Sequence, residues 1–406
     1  MELTPIHKTT IGLDVHHQQI TACVIAERED GAIHTEIKEF GTFKRNLRAL
    51  AEWAKEWNPD VVVMESTGIY WKSPYAALEK AGIIALVVNA RHIKKVPGRK
   101  TDISDSQWLA ILARCGLLNG SFVPPDDIRS LRLISRQRQN LVSALAREKN
   151  RMHKVLTDGG VRLNLVVSDI HGQSARLMIE CLLEGGTPGQ ALKFASKRLK
   201  ASHEELLDAL EGELTDAHRF VLNKMLDHIR DLEVRIADFE DELLRCLGPQ
   251  TWALELLQTI PGVDQIGAAM MIVEIGVDMK VFEKADRLAS WAGVCPGNNE
   301  SAGKRKNGRT RKGNRYVRRL LCEMANAARH SECGLKRKFA GLVIRRGHKR
   351  SIIALGHKIL KIMFVLISRK VPYQDSTINY EELAVKRNAP RWIKAMRKFG
   401  YLPELA

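Results

Sequence analysis

The sequence predicts an α/β N-terminal domain, a helical middle and a mostly α C-terminal domain. Three observations carry this. Strand-like runs over residues 9–40 are followed by short, wholly apolar runs that alternate with helical spacing. A heptad seam steps through Leu222, Met225, Ile229, Leu232, Ile236, Phe239 and Leu243. Beyond it, Pro261-Gly262 sits between two apolar stretches of helical character.

In chain order, Ile11, Leu13 and Val15 alternate with Gly12 and Asp14, as a strand with unlike faces requires. His16 to Gln19 is a polar turn, Ile20 to Ala26 a second strand, and Asp30-Gly31 a hairpin signal leading into a third strand, Ala32 to Phe40. Leu47, Leu50 and Ala54 give helical spacing over 44–57. Val61 to Met64 and Ile83 to Val88 suit strands buried on both faces, with a helix over 70–81 between them. A meander followed by βαβ units makes a mixed sheet. Helices follow at 102–115 and 127–157. Glycine pairs break a helical pattern over 159–200, and 203–246 reads as one long helix ended by Gly248-Pro249. Its seam fits either an intramolecular bundle, with 127–157 as partner, or a coiled-coil dimer. The Ile260-Pro261-Gly262 turn resembles a helix-hairpin-helix, whose second helix N-terminus can face a phosphate; a purely structural helix corner is the alternative. The expected divisions are 1–125, 126–250, 251–371 and a basic tail, 372–406.

The 406 residues carry 64 Lys and Arg against 47 Asp and Glu, a net +17. Such an excess favours a polyanionic partner. No stretch approaches 18 uninterrupted apolar residues; the best, Ile359 to Ile367, contains Lys361. Met1 to Thr10 lacks a secretory apolar core, and the seven scattered cysteines form no CxxC pair, so reduced thiols and a cytoplasmic setting are expected. The excess is local. Pro296 to Arg350 holds 17 basic and 3 acidic residues, interleaved with Gly303, Gly308, Gly313, Tyr316, Val317, Leu320 and Leu321, whereas Glu204 to Arg245 holds 5 basic and 13 acidic. The first segment is the expected nucleic-acid contact, through Lys304, Arg305, Lys306, Arg309, Arg311, Lys312, Arg315, Arg318 and Arg319. The run from Lys386 to Lys398 around Trp392 is a further candidate.

Four carboxylates stand out. Asp14 lies in an apolar strand, and Glu65 ends the apolar run at 61–64, where open α/β sheets place functional groups. Asp102 and Asp105 share a face at a helix start. Singly, Asp102 is an ordinary N-cap and Asp105 a dipole partner. Together the four are expected to need a divalent cation, Mg²⁺ or Mn²⁺, and two such ions suit an in-line phosphoryl displacement.

Three runs, Gly12-Leu13-Asp14-Val15-His16, Met64-Glu65-Ser66-Thr67-Gly68 and Lys100-Thr101-Asp102-Ile103-Ser104-Asp105, resemble the N-terminal domain of DEDD-type insertion-sequence transposases, the IS-one-ten family. Ile260-Pro261-Gly262, Leu288 to Pro296, Glu300-Ser301-Ala302-Gly303-Lys304 and Gly313 to Arg319 resemble its C-terminal domain. The resemblance implies a RuvC-like, RNase H-like N-terminal fold and recombination of DNA strands to move an element. It implies metal-binding carboxylates at Asp14, Glu65, Asp102 and Asp105, a nucleophilic Ser301, and a noncoding bridge RNA as guide. Many relatives have glycine where this chain has Ala302. Ser290, beside Trp291, is the competing serine and is expected to pack. Carboxylates and serine lie far apart in sequence, so a homo-oligomer completing the site through the coiled coil is expected. A metal-dependent nuclease or junction resolvase, and a non-catalytic nucleic-acid-binding protein, are the alternatives.

Overall fold

The computed structural model describes residues 5–66, 68–89, 104–297, 299–302, 304–307, 310, 312–375, 378 and 380–403. The chain forms two compact units, Met1–Asp126 and Asp127–Ala406.

The first unit is a mixed five-stranded sheet. Strands β1 (Thr9–Val15), β2 (Gln19–Glu27) and β3 (Ile33–Gly41) form the antiparallel meander. The β2–β3 turn uses Gly31 at φ 80° and the Asp30 carboxylate, which accepts the Ala32 N–H. Helix α1 (Lys44–Glu56) leads to β4 (Val61–Glu65), and α2 (Lys72–Lys80) leads to β5 (Ala85–Val88). β1, β4 and β5 run parallel, giving the order β3-β2-β1-β4-β5. One face is covered by α1 and α2: Ile11, Leu13, Val15, Val62 and Met64 pack with Leu47, Leu50, Trp53 and Leu78. The other is covered by α3 (Asp105–Arg114), where Val61, Val63 and Val88 meet Trp108, Leu109 and Leu112. Two buried faces explain why β4 is apolar at successive positions.

The second unit opens with α4 (Asp126–Asp158). Helices α5 (Gln173–Leu183), α6 (Pro188–Ala191) and α7 (His203–Leu210) follow, then α8 (Asp216–Cys246). The single helix expected over 203–246 is therefore two. Glu211 is extended, and Gly212 lies so close to Gly159 that a Cβ there would sit 2.5 Å from the Gly159 carbonyl oxygen. Thr215 then restarts the chain with a capping box. α4 and α8 run antiparallel, tied by His218–Asp158 (3.1 Å), Lys149–Glu233 (3.1 Å) and Arg138–Glu240 (2.5 Å). The heptad seam is used inside the chain: Leu222, Met225 and Ile229 join one core with Met152 and Leu156 of α4 and Met178 and Ile179 of α5, and Leu232, Ile236 and Leu243 are buried too. The seam, which fits either an intramolecular bundle or a coiled-coil dimer, is buried within the chain at these positions. A heptad pattern specifies an apolar stripe, not whose helix covers it.

The rest of the unit comprises α9 (Thr251–Gln258), α10 (Gln265–Ile275), α11 (Ala285–Trp291), β6 (Asn299–Ser301), β7 (Lys304–Asn307), α12 (Arg315–Ala328), α13 (Gly334–Arg346), α14 (His348–Arg369) and α15 (Tyr380–Lys398). α14 is long and apolar enough to cross a membrane, which a search for uninterrupted apolar runs does not register. Here it is the central helix of a bundle, burying Ile352, Leu355, Ile359, Leu360 and Met363 against α9, α11, α12 and α13. Gly356 gives α12 room: a Cβ there would meet Leu321 at 3.1 Å.

Candidate active site

Asp14 and Glu65 sit at the C-terminal ends of two adjacent parallel strands. The β1–β4 register pairs Leu13 with Met64, so one further step sets Asp14 beside Glu65. Leu13 and Met64 point into the core under α1 and α2, so the two acids share the opposite face, the one α3 covers. Gly12 fixes how closely α3 approaches. A Cβ at Gly12 would lie 2.0 Å from the Ser106 carbonyl oxygen and 2.6 Å from the Ala110 nitrogen, so the first turns of α3 rest directly on β1. Ser104 caps that helix, accepting from Gln107 N–H, and Asp105 is its first residue. Two of the four expected carboxylates, Asp14 and Glu65, therefore stand at the same end and on the same face of the sheet, and Asp105 begins the helix that covers that face. Asp102 lies outside the described residues.

The Asp14 side chain is 31% exposed and shares a 3.1 Å hydrogen bond with His16 Nε2. All the donors are carboxylate oxygens, the ligand chemistry of a hard divalent cation, so their type fits Mg²⁺. Among the described residues, however, no group of three or more His, Cys, Asp or Glu is close enough to hold a metal ion. A shared edge is what is present, without a closed cage.

Ser301 ends β6 and pairs with Lys304 of β7, so the two strands form a hairpin. Ala302 is exposed and has φ 50°, a conformation that disfavours a side chain and favours glycine or asparagine. The two arms of the hairpin meet below it. Pro296 bridges to Thr310, and Gly313 approaches Gly293 so closely that a Cβ would lie 2.4 Å from the Gly293 nitrogen. Ser290, expected to pack, is exposed on α11.

Of the expected nucleic-acid residues, Lys304, Arg305 and Lys306 lie on β7, and Lys312 is exposed. Arg309 and Arg311 lie outside the described residues. Arg315 is exposed, stacks 4.9 Å from the Tyr316 ring centroid and donates to its hydroxyl. Arg318 is half-buried, and Arg319 is engaged by Glu323 (2.8 Å) and Ser143 (3.0 Å). The helix-hairpin-helix expectation meets an obstacle in Asp264. Its carboxylate accepts the Gly267 N–H at 2.7 Å, closing the α10 N-terminus with an anion of its own. The adjoining cavity of about 400 Å³ is lined by Asp264 and Glu323 with Arg138 as its cation, an arrangement unlike a phosphate cradle.

Sequence reasoning missed one cluster. Glu274, on α10, is 1% exposed. Arg136 of α4 grips its carboxylate with two hydrogen bonds, 2.9 and 3.0 Å, and Asn314 donates to it at 2.7 Å. Arg132 lies 3.5 Å from the same carboxylate and donates to the Val273 and Glu274 carbonyls. Burial lowers the Arg132 pKa to about 10 against the opposing pull of Glu274, so it stays charged at neutral pH. Two signals were available: a lone acid in an apolar helix, and two arginines four residues apart.

Two family models match this chain: a DEDD transposase model of the IS110 type over residues 11–159, and the transposase IS116/IS110/IS902 family over residues 254–340. The chain belongs to the IS110-type transposases. The transposase for insertion sequence element IS1111A of Coxiella burnetii is 25% identical over 327 residues, covering 77% of this chain and 79% of its own length. A probable family 20 transposase of Pseudomonas aeruginosa is 23% identical over 373 residues, covering 90% of this chain and 98% of its own. RuvC of Thermus thermophilus matches 28% of this chain and 99% of its own, at 15% identity and a TM-score of 0.22. IS110-type transposases act on DNA.

Proposed function

We propose that this transposase cuts and rejoins DNA strands to excise and insert a mobile element. The observation that carries the reading is the pair of family matches, which cover both the carboxylate strands and the segment containing Ser301. The sheet order, a meander joined to parallel strands, supports a RuvC-like assignment for the first unit. Asp14, Glu65, Asp102 and Asp105 would hold Mg²⁺ or Mn²⁺. When bound, such an ion neutralises charge on a phosphoryl group and its leaving oxygen.

The Ser301 hydroxyl is the nucleophile. Its Oγ bonds to phosphorus, the P–O bond to a deoxyribose oxygen breaks, and that oxygen takes up a proton as the serine loses one. The phosphoserine ester conserves the phosphodiester bond, so a second deoxyribose hydroxyl can reverse the step without a nucleotide cofactor. Lys304, Arg305, Lys306, Lys312 and Arg315, with Arg309, Arg311, Arg318 and Arg319, grip the strand through its phosphates. A noncoding RNA guide and a homo-oligomeric working form complete the reading, both on the resemblance to the family.

Ser301→Ala is the decisive test. The parent is expected to leave a protease-sensitive adduct on DNA carrying element ends, and the variant none. Cleavage that survives in the variant, with no adduct in the parent, would make this a water-using nuclease. Digesting co-purified nucleic acid with RNase or DNase tests the guide: DNA alone would remove RNA from the reading. A strict monomer in sedimentation with nucleic acid bound would remove the oligomer.

A further inference from the structure

We propose that Glu274 and Asn314 are positioning residues: a buried ion network that clamps the root of the β6–β7 hairpin and so sets where Ser301 stands. The role in catalysis rests on the serine reading above; the clamp itself does not.

The chain leaves the hairpin through Thr310 and enters α12 at Asn314, whose side-chain oxygen accepts the Tyr316 and Val317 N–H groups as the helix N-cap. An N-cap needs only that oxygen. Here the other end of the same amide is also committed, donating at 2.7 Å to Glu274. One side chain thus ties the start of α12 to the end of α10. Arg136 holds the Glu274 carboxylate from below with both its Nε and Nη2, and its guanidinium lies 4.3 Å from the Tyr316 ring centroid. Arg132 fixes the backbone carbonyls of the same turn. Three helices, α4, α10 and α12, therefore converge on one buried carboxylate directly beneath the exit arm. The entry arm is locked to the exit arm by the Gly313–Gly293 approach and the Pro296–Thr310 bridge.

Capping and packing alone do not call for this arrangement. A serine at 314 caps a helix as well as asparagine does, and an apolar residue at 274 would match the other residues of α10, all of which between Ala268 and Ile275 are buried. Keeping a carboxylate in an apolar helix with two guanidiniums around it is costly unless geometry is what it secures. A nucleophile at the end of a hairpin strand takes its position from the strands that carry it, and these are set at the root.

The test is Asn314→Ser, which keeps the cap but cannot reach Glu274, with Glu274→Gln as the second variant. Hydrogen exchange of the 299–307 amides is expected to rise about tenfold in both, while the interior amides of α12 keep their protection in Asn314→Ser. Adduct formation on DNA should fall about ten- to a hundredfold in kcat, with DNA affinity within about twofold of the parent. Unchanged hairpin exchange in Asn314→Ser overturns the clamp. Faster exchange with unaltered adduct formation overturns the positioning role. Faster exchange in a protein whose parent forms no adduct retains the clamp and removes the serine reading instead.

Discussion

The carboxylate edge and the serine hairpin are held by opposite means. Asp14 and Glu65 inherit their positions from a sheet packed on both faces, where contact is apolar and one missing side chain, at Gly12, lets α3 sit against β1. Ser301 ends a hairpin strand next to Ala302 at positive φ, and the exit arm of that hairpin runs into Asn314, which is bonded to a buried carboxylate between two guanidiniums. Packing fixes the first through shape. Charge fixes the second through direction, because hydrogen bonds to a carboxylate define angles that dispersion does not. An element whose side chains ride on strand ends needs little else; a hairpin projecting from a bundle needs an anchor.

Four changes break or sharpen that contrast. Glu274→Ala should be the most damaging to folding, about 3–5 kcal/mol, because it removes the buried carboxylate that pairs with the partly buried Arg132 and Arg136 and accepts from Asn314; urea unfolding of the full chain measures it, and a loss under about 1 kcal/mol would mean charge is not what holds the second unit there. Gly12→Val should cost about 3 kcal/mol, since the added atoms meet α3 backbone that has no rotamer to change. The expected signature is confined to the first unit, read as lost protection of β1 and α3 amides with the 216–246 helix unaffected.

The third change concerns pH. The Arg176 hydrogen bonds, with Lys149 adding to them, hold the Glu233 carboxyl down to about 2, well below the ordinary range. A depressed carboxyl contributes stability above its unfolded pKa and loses it as pH falls towards the folded value. Glu233→Gln should therefore flatten the stability of the α8 contacts with α5 and α4 between about pH 4.5 and 2. If parent and variant show the same acid slope in thermal melts, these contacts are held by packing and resemble the first unit. The smallest effect belongs to Ala302→Gly. Relief of the positive φ should favour the hairpin by up to about 1 kcal/mol, visible as slower exchange at Ser301 and Lys304. Faster exchange would mean the lost side-chain restraint outweighs the strain.

Much of the first unit was legible because its signals are local. Asp30-Gly31, the alternation around Gly12 and the apolar runs before Glu65 each specify a backbone state within a few residues. The α7–α8 break was missed because Glu211-Gly212 carries no strong stop signal; it forms because Gly212 must lie against Gly159, over fifty residues away. The reading of α14 by uninterrupted runs fixed on Lys361, yet that lysine reaches Asp286 at 2.8 Å from the rim while the helix core stays buried.

The sequence by itself determined most of the elements of the first unit, the apolar stripe of α8 and the carboxylates at the ends of β1, β4 and the start of α3, because periodicity and turn chemistry act over a few residues. Only the tertiary structure decided what covers each stripe and what pairs with each charge. It spent the α8 seam inside the chain, closed the α10 N-terminus with Asp264, and turned Glu274 from an oddity in an apolar helix into the point where three helices meet. Burial and ion pairing depend on neighbours brought together from distant parts of the chain, and no local pattern records which neighbour that will be.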